Sequence, residues 1–170
     1  SNSVGIIDTS LSSMVALAVI VAIGLNALFR LGIHQQVTHS VRLDAQWPAT
    51  VNQQLWHLGH QWGARPEVVT RLDHATHELL DAVYGHGLLA DQADPRVELM
   101  ARFDEYQCQI RVTYAGRPLR LAHERPDPER LMADPDAFAE LAGFLIRRQT
   151  DGLKVEEQQG QCTVTMRFDD

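Results

Sequence analysis

HELLDAVYGHG, from His77 to Gly87, decides how the rest of the chain is read. Val69, Leu72, Leu79 and Val83 recur at the helical period, so the stretch closes a helix running from about Pro66 to Tyr84. Gly85 and Gly87 end that helix. A carboxylate opens the stretch, small and apolar residues fill it, and His-Gly closes it, which is the pattern of one wall of a ligand pocket. Whether the polar atoms that would hold a ligand are still present is the question the remaining motifs must answer.

On the N-terminal side, Gln36 to Asp44 reads as a strand. Pro48 opens a helix through about Trp62, with Leu55, Leu58 and Trp62 on one side, and Gly63 and Pro66 break it. On the C-terminal side, Arg96–Asp104 and Cys108–Ala115 alternate with period two and read as a hairpin. Residues 117–135 hold four prolines and many charges, so a long loop is expected, with at most a short helix at Glu129 to Ala133. Asp134-Pro135 caps a third helix whose apolar face is expected from Phe138, Leu141, Leu145 and Ile146, stopped by Gly152. A closing hairpin turns at Gly160. Hairpins with helices between them predict an α+β fold, a two-layer α/β sandwich.

The 170 residues carry 45% hydrophobic and 22% charged residues, the balance of a folded protein. The net charge is −7 and no basic run occurs, so nucleic acid is not an expected partner. Two cysteines, Cys108 and Cys162, are too few for a disulfide framework or a zinc site and read as reduced, half-buried thiols.

The first segment is of another kind. Asp8 and Arg30 bracket about 21 uncharged residues, and a helix of that length spans roughly 31 Å, a bilayer core. Residues 14–29 are apolar on every face, and no basic residue precedes them as a signal peptide would require. Residues 1–33 are therefore expected to be an apolar transmembrane helix, crossing the membrane through residues 11–31, with a buried or oligomer-forming soluble helix as the alternative, and residues 34–170 a separate domain. Arg30, His34, His39 and Arg42 follow the apolar run, which places residues 34–170 in the cytoplasm by the positive-inside rule.

From residue 36 onward the order of elements and several motifs resemble the histidine-kinase-like ATPase fold (GHKL or Bergerat), and its small anti-sigma-factor-like members in particular. Glu78, Leu79, His86 and Gly87 match the family's second helix. Gly116 and Pro118 of YAGRP match its strand-end motif, and the Pro-rich stretch after Pro118 takes the place of its mobile lid. FLIRRQTDGLKVEEQQGQCTVTMRF, which includes Arg147, resembles the family's C-terminus.

Against that pattern three positions depart. The family's Mg²⁺-holding Asn falls on Ala82, its adenine-binding Asp on Tyr114, and its Gly-x-Gly on Glu140-Leu141-Ala142. Glycines there would let backbone N–H groups approach phosphate, and a Glu adds negative charge beside a polyanion. Each side-chain loss costs about 1–3 kcal/mol, against roughly 8 kcal/mol for micromolar binding. The resemblance thus implies a degenerate nucleotide pocket at Glu78, Ala82, His86, Gly87, Tyr114, Gly116, Pro118 and Arg147, with no catalytic residue, no metal, and neither ATP nor Mg²⁺ as cofactor. An alternative reading keeps Tyr114 as a residue that stacks on another small ligand.

SSMVALAVIVAIGLNALFRLG (Ser12–Gly32) resembles the last transmembrane helix of the xanthine/uracil permease family, some of whose bacterial members carry a kinase-like ATPase domain after it. The resemblance implies the C-terminal piece of a nucleobase permease in the cell inner membrane. The partners would be the rest of the permease, the membrane, or further copies of the chain as a homo-oligomer. The competing reading is a membrane-tethered, ATP-binding anti-sigma-type protein kinase or switch.

Among the 8 histidines, His74–Glu78 and His77–Asp81 stand four apart on one helix, a spacing that suits a metal or an ordinary helix-surface pair. The order is not that of a zincin, and surface pairing is the reading adopted.

Overall fold

The computed structural model describes residues 16–25, 35–104 and 106–169. The chain divides into two units, residues 1–34 and 35–170. In the first, residues 16–25 form a helix (α1) with exposed apolar side chains, Leu17, Ile20 and Ile23 among them. Among the described residues no helix is long and apolar enough to cross a membrane. The rest of the expected span, 11–15 and 26–31, lies outside the described residues.

The second unit follows the order β1 (Gln35–Arg42), α2 (Trp47–Trp62), α3 (Pro66–Gly85), β2 (Arg96–Asp104), β3 (Gln107–Ala115), α4 (Pro128–Ala133), α5 (Asp136–Gln149), β4 (Gly152–Gln158) and β5 (Gln161–Asp169). The five strands form one antiparallel sheet in the order β1-β2-β3-β5-β4. Alternate residues of the central strands are buried: Val97, Leu99 and Ala101 on β2, Cys108, Ile110, Val112 and Tyr114 on β3, Cys162, Val164, Met166 and Phe168 on β5. Register sets these side by side, as in the row Leu99, Val112, Val164, Val155. Helices cover that face, with α3 against β3 and β5, α2 against β1 and α5 against β4. The architecture is the expected two-layer α+β sandwich.

Local chemistry sets the boundaries. Asp44 accepts a hydrogen bond from the Gln46 N–H (2.8 Å) just before α2, and Gly63 closes α2 at φ +71°, a left-handed position that glycine adopts without strain. Pro66 sits in the first turn of α3, and Arg65 before it is extended, as a residue preceding proline prefers. Gly59 lets α2 approach α3, because a Cβ there would lie 2.5 Å from the Val69 side chain. Gln159 (φ +54°) and Gly160 (φ +78°) form the two-residue turn between β4 and β5, with both central residues at positive φ.

Three expectations need correction. The inward face of α5 is Ala137, Ala139, Ala142, Gly143 and Ile146, not Phe138, Leu141 and Leu145; Phe138 is 42% exposed and the two leucines are only half-buried. Periodicity of large residues pointed outward here because α5 lies so close to its neighbours that small side chains are needed inside. Helix α5 also ends at Gln149, with Thr150 extended, and Gly152 begins β4 instead of stopping the helix. The cysteines are free, and both are fully buried where half-burial was expected.

Candidate functional site

The site predicted from sequence lies where β3 ends, beneath the C-terminus of α3 and beside α5. Residues 88–90 cross the end of β3: the Ala90 N–H donates to the Ala115 carbonyl (2.8 Å) and the Arg117 N–H to the Leu88 carbonyl (2.7 Å). Gly116, at φ +152°, sits in that crossing, and a Cβ on it would strike the Leu88 carbonyl. Its N–H donates to the Gly160 carbonyl (3.0 Å), and its own carbonyl accepts from the Cys162 thiol (3.2 Å). Backbone crowding by itself requires glycine here.

Tyr114 is 2% exposed and its hydroxyl donates to the Arg117 carbonyl at 3.0 Å. Burial pushes its pKa far above the ordinary phenol range. Its ring is part of the core, so it is not placed to stack on a ligand as one reading of the sequence had it. Ala82 is likewise fully buried on the inner face of α3. A longer polar side chain there would enter the core.

The stretch in the place of the family's mobile lid is tied down along α5. Arg117 reaches the Gly87 carbonyl (3.1 Å) and the Asp136 carboxylate (3.4 Å). Leu119 is buried, and the Arg120 carbonyl lies directly against Gly143, where any Cβ would clash. Further along, Arg147 bonds His123 (3.2 Å). Positions 117, 120 and 123 thus meet 136, 143 and 147 in order, and the strap runs parallel to α5.

Glu140 anchors this arrangement. Its carboxylate accepts from Arg130 of α4 through both guanidinium nitrogens at 2.9 Å, and Arg120 approaches it at 3.5 Å. Glu140 stands where the resemblance placed the first phosphate-approaching glycine. Arg120 and Arg130 thus meet at one carboxylate of the chain itself.

The remaining positions expected from the sequence lie around this seam. Glu78 is half-buried on α3 and makes no hydrogen bond or ion pair among the described residues. Gly87 takes φ +66°. Pro118 is exposed and lines a cavity of about 150 Å³ with Arg117, Arg120 and Asp136. His86 stacks on Phe138, with ring centroids 5.2 Å apart and planes at 12°. These two rings line a separate open groove of about 350 Å³ with Leu131, Met132, Ala133 and Pro135. The structure thus brings Tyr114, Gly116 and Pro118 together with Gly87, and Arg147 onto the strap, while Ala82 belongs to the core.

His77 does not pair with Asp81, the residue its spacing suggested. Its Nδ1 meets Asp73 (2.9 Å to the carbonyl, 3.3 Å to the carboxylate) and its Nε2 meets the Pro48 carbonyl (3.1 Å), tying α3 to the start of α2. Asp73 also accepts from Asn52 (3.0 Å). Among the described residues no three metal-ligating side chains converge.

Sequence reasoning missed the roles of Glu140, Arg120, Arg130 and Gly143. The three charged residues lie 10–20 positions apart, with a proline-rich loop between, so no periodicity joins them. Gly143 inside a helix was the one local sign of close backbone approach.

No protein-family model matches the chain, and no curated protein matches it. Among solved structures, the RsbU and RsbW domains of Rv1364c from Mycobacterium tuberculosis share the fold with a TM-score of 0.56 at 14% identity, over 79% of this chain and 32% of that one. The chain therefore spans about a third of that structure's length. The SiaB-SiaC complex from Pseudomonas aeruginosa is similar at a TM-score of 0.45 and 11% identity, over 79% of this chain and 89% of that one. At 14% identity the likeness to the first structure is one of fold alone, a mixed α+β domain on a five-stranded antiparallel sheet.

Proposed function

We propose that residues 35–170 are a regulatory protein-binding domain built on the histidine-kinase-like ATPase fold, of the anti-sigma-factor-like type, and that they do not turn over ATP. The observation that carries this reading is the Glu140 carboxylate holding Arg120 and Arg130, with the strap pressed on Gly143. In such a domain the closed lid needs no bound polyanion. Tyr114 and Ala82 fill the positions of two nucleotide ligands with buried, satisfied or apolar groups.

The regulated protein, in this proposal, is a nucleobase permease continuous with residues 1–33, which places residues 34–170 on the cytoplasmic side of the inner membrane. The sequence of residues 11–31 alone supports that part. Protease accessibility in inside-out membrane vesicles tests it: residues 34–170 should be cleaved there and protected in intact cells, and a fragment that stays out of the membrane fraction would refute it.

The kinase reading keeps one specific observation in its favour, the unpartnered Glu78 on α3 at the position of the family's water-activating carboxylate. Calorimetric titration with Mg-ATP separates the two. No saturable heat is expected below about millimolar concentration. A dissociation constant of tens of micromolar or tighter would establish the kinase reading instead.

A further inference from the structure

Four large hydrophobic side chains of residues 35–170 are substantially exposed among the described residues: Tyr84, Tyr106, Met132 and Phe138. Met132 (91% exposed) and Phe138 (42%) both line the open groove at the end of α3, and Tyr84 stands beside it on α3's last turn. A monomeric surface rarely gathers its apolar side chains this way without a use for them. The groove's volume, about 350 Å³, accommodates one or two large side chains.

Its rim is acidic. Asp81 stands one helical turn before the lining residue Gly85, and Glu129 one turn before Met132 and Ala133. Both are exposed and neither is paired among the described residues. Asp134 and Asp136 flank the lining residue Pro135 in sequence but are already paired, with Arg130 (3.7 Å) and Arg117 (3.4 Å), so Asp81 and Glu129 are the carboxylates the rim leaves free among the described residues. Arg130, the nearest base on α4, is already engaged by Glu140. Two copies of such a face would set like charges against each other, which disfavours self-association through it.

We propose that this groove docks a short basic, amphipathic segment of a partner protein, with an apolar anchor of Leu, Met or Phe size in the groove and Lys or Arg on Asp81 and Glu129. This deepens the regulatory reading above and rests on it. The stacked His86 and Phe138 rings form the floor against which the anchor packs, and the carboxylates select the flanking charge. Because α4 supplies both Met132 to the groove and Arg130 to Glu140, an occupied groove also bears on the latch that closes the strap.

The test uses residues 35–170, which carry the whole sheet and its core, labelled with ¹⁵N. The probes are two short synthetic peptides with the same Leu-x-x-Phe core, one flanked by Lys and Arg, the other by Asp and Glu. The basic peptide is expected to shift the amides of Gly85, His86, Met132 and Phe138 saturably. Phe138→Ala with Met132→Ser should weaken it by about tenfold or more. Asp81→Lys with Glu129→Lys should weaken it and flatten its salt dependence. The proposal is overturned if neither peptide gives saturable shifts, if the shifts fall elsewhere, or if both peptides bind equally. Concentration-dependent shifts of the same amides without peptide would assign the groove to a second copy and overturn it too. Mg-ATP titration of the same sample reads the non-catalytic reading separately, so either result can fail alone.

Discussion

Arg130 and Glu140 face each other as a two-pronged ion pair, Nη1 to Oε2 and Nη2 to Oε1, each at 2.9 Å. The pair joins α4 to the first turns of α5, and Arg120 adds a third cationic contact from the strap. The one carboxylate thus ties both the strap and α4 to α5.

Glu140→Gln removes the charge while keeping the shape. Arg120 and Arg130 are about half exposed, so the expected loss of global stability is small, about 1 kcal/mol or less. The local effect is larger. Hydrogen exchange of residues 117–133 should speed up while that of β3 and β5 stays unchanged. Unchanged protection throughout would show that the latch does not hold the strap.

Gly143→Ala tests the close approach of strap and helix. Alanine has the better helix propensity, so an open site would gain about 1 kcal/mol. Because the new Cβ would strike the Arg120 carbonyl, a net loss of about 1–3 kcal/mol is expected instead, read by denaturant unfolding. A stabilised variant would contradict the packing described.

Tyr114→Phe deletes a buried hydroxyl and leaves the Arg117 carbonyl without that donor. The expected cost at neutral pH is about 0.5–1.5 kcal/mol. The sign with pH follows from the raised pKa of the phenol, which burial causes. Its contribution is complete below the unfolded value near 10 and is lost as pH rises through the higher folded one. The wild-type chain should therefore lose stability above about pH 10 more steeply than the variant. Parallel alkaline profiles would argue that Tyr114 is not buried.

Asp151 titrates in the opposite sense. The Asp169 N–H (2.9 Å), and beside it Arg71 (2.7 Å), hold its carboxyl below the usual carboxylate range. Its stabilisation is present above the unfolded value near 3.9 and disappears as pH falls through the lower folded value. Asp151→Asn should cost below about 1 kcal/mol at pH 7, because both partners are about a third exposed and water screens them. The difference from wild type should close as pH drops below about 4, and a difference that persists there would assign the effect to geometry instead of charge.

The elements of residues 35–170 were legible in the sequence because their signals are local. The period of Val69, Leu72, Leu79 and Val83 marked α3, the alternation through Cys108, Ile110 and Val112 marked β3, and Gly160 marked the final turn. The identities of Ala82, Tyr114 and Glu140 are equally a matter of sequence, and the resemblance alone is what gives them a place in a pocket. Only the tertiary structure decided what those residues do. The inward face of α5 is made of Ala137, Ala139, Ala142 and Gly143 because close packing against the strap and α3 excludes bulk, a demand no single-helix pattern contains. Likewise Glu140 meets Arg120 and Arg130 across loop closures of 20 and 10 residues, and His77 turns to Asp73 and Pro48 instead of Asp81. Contacts of that range are set by how the layers pack, and the chain's local chemistry does not encode them.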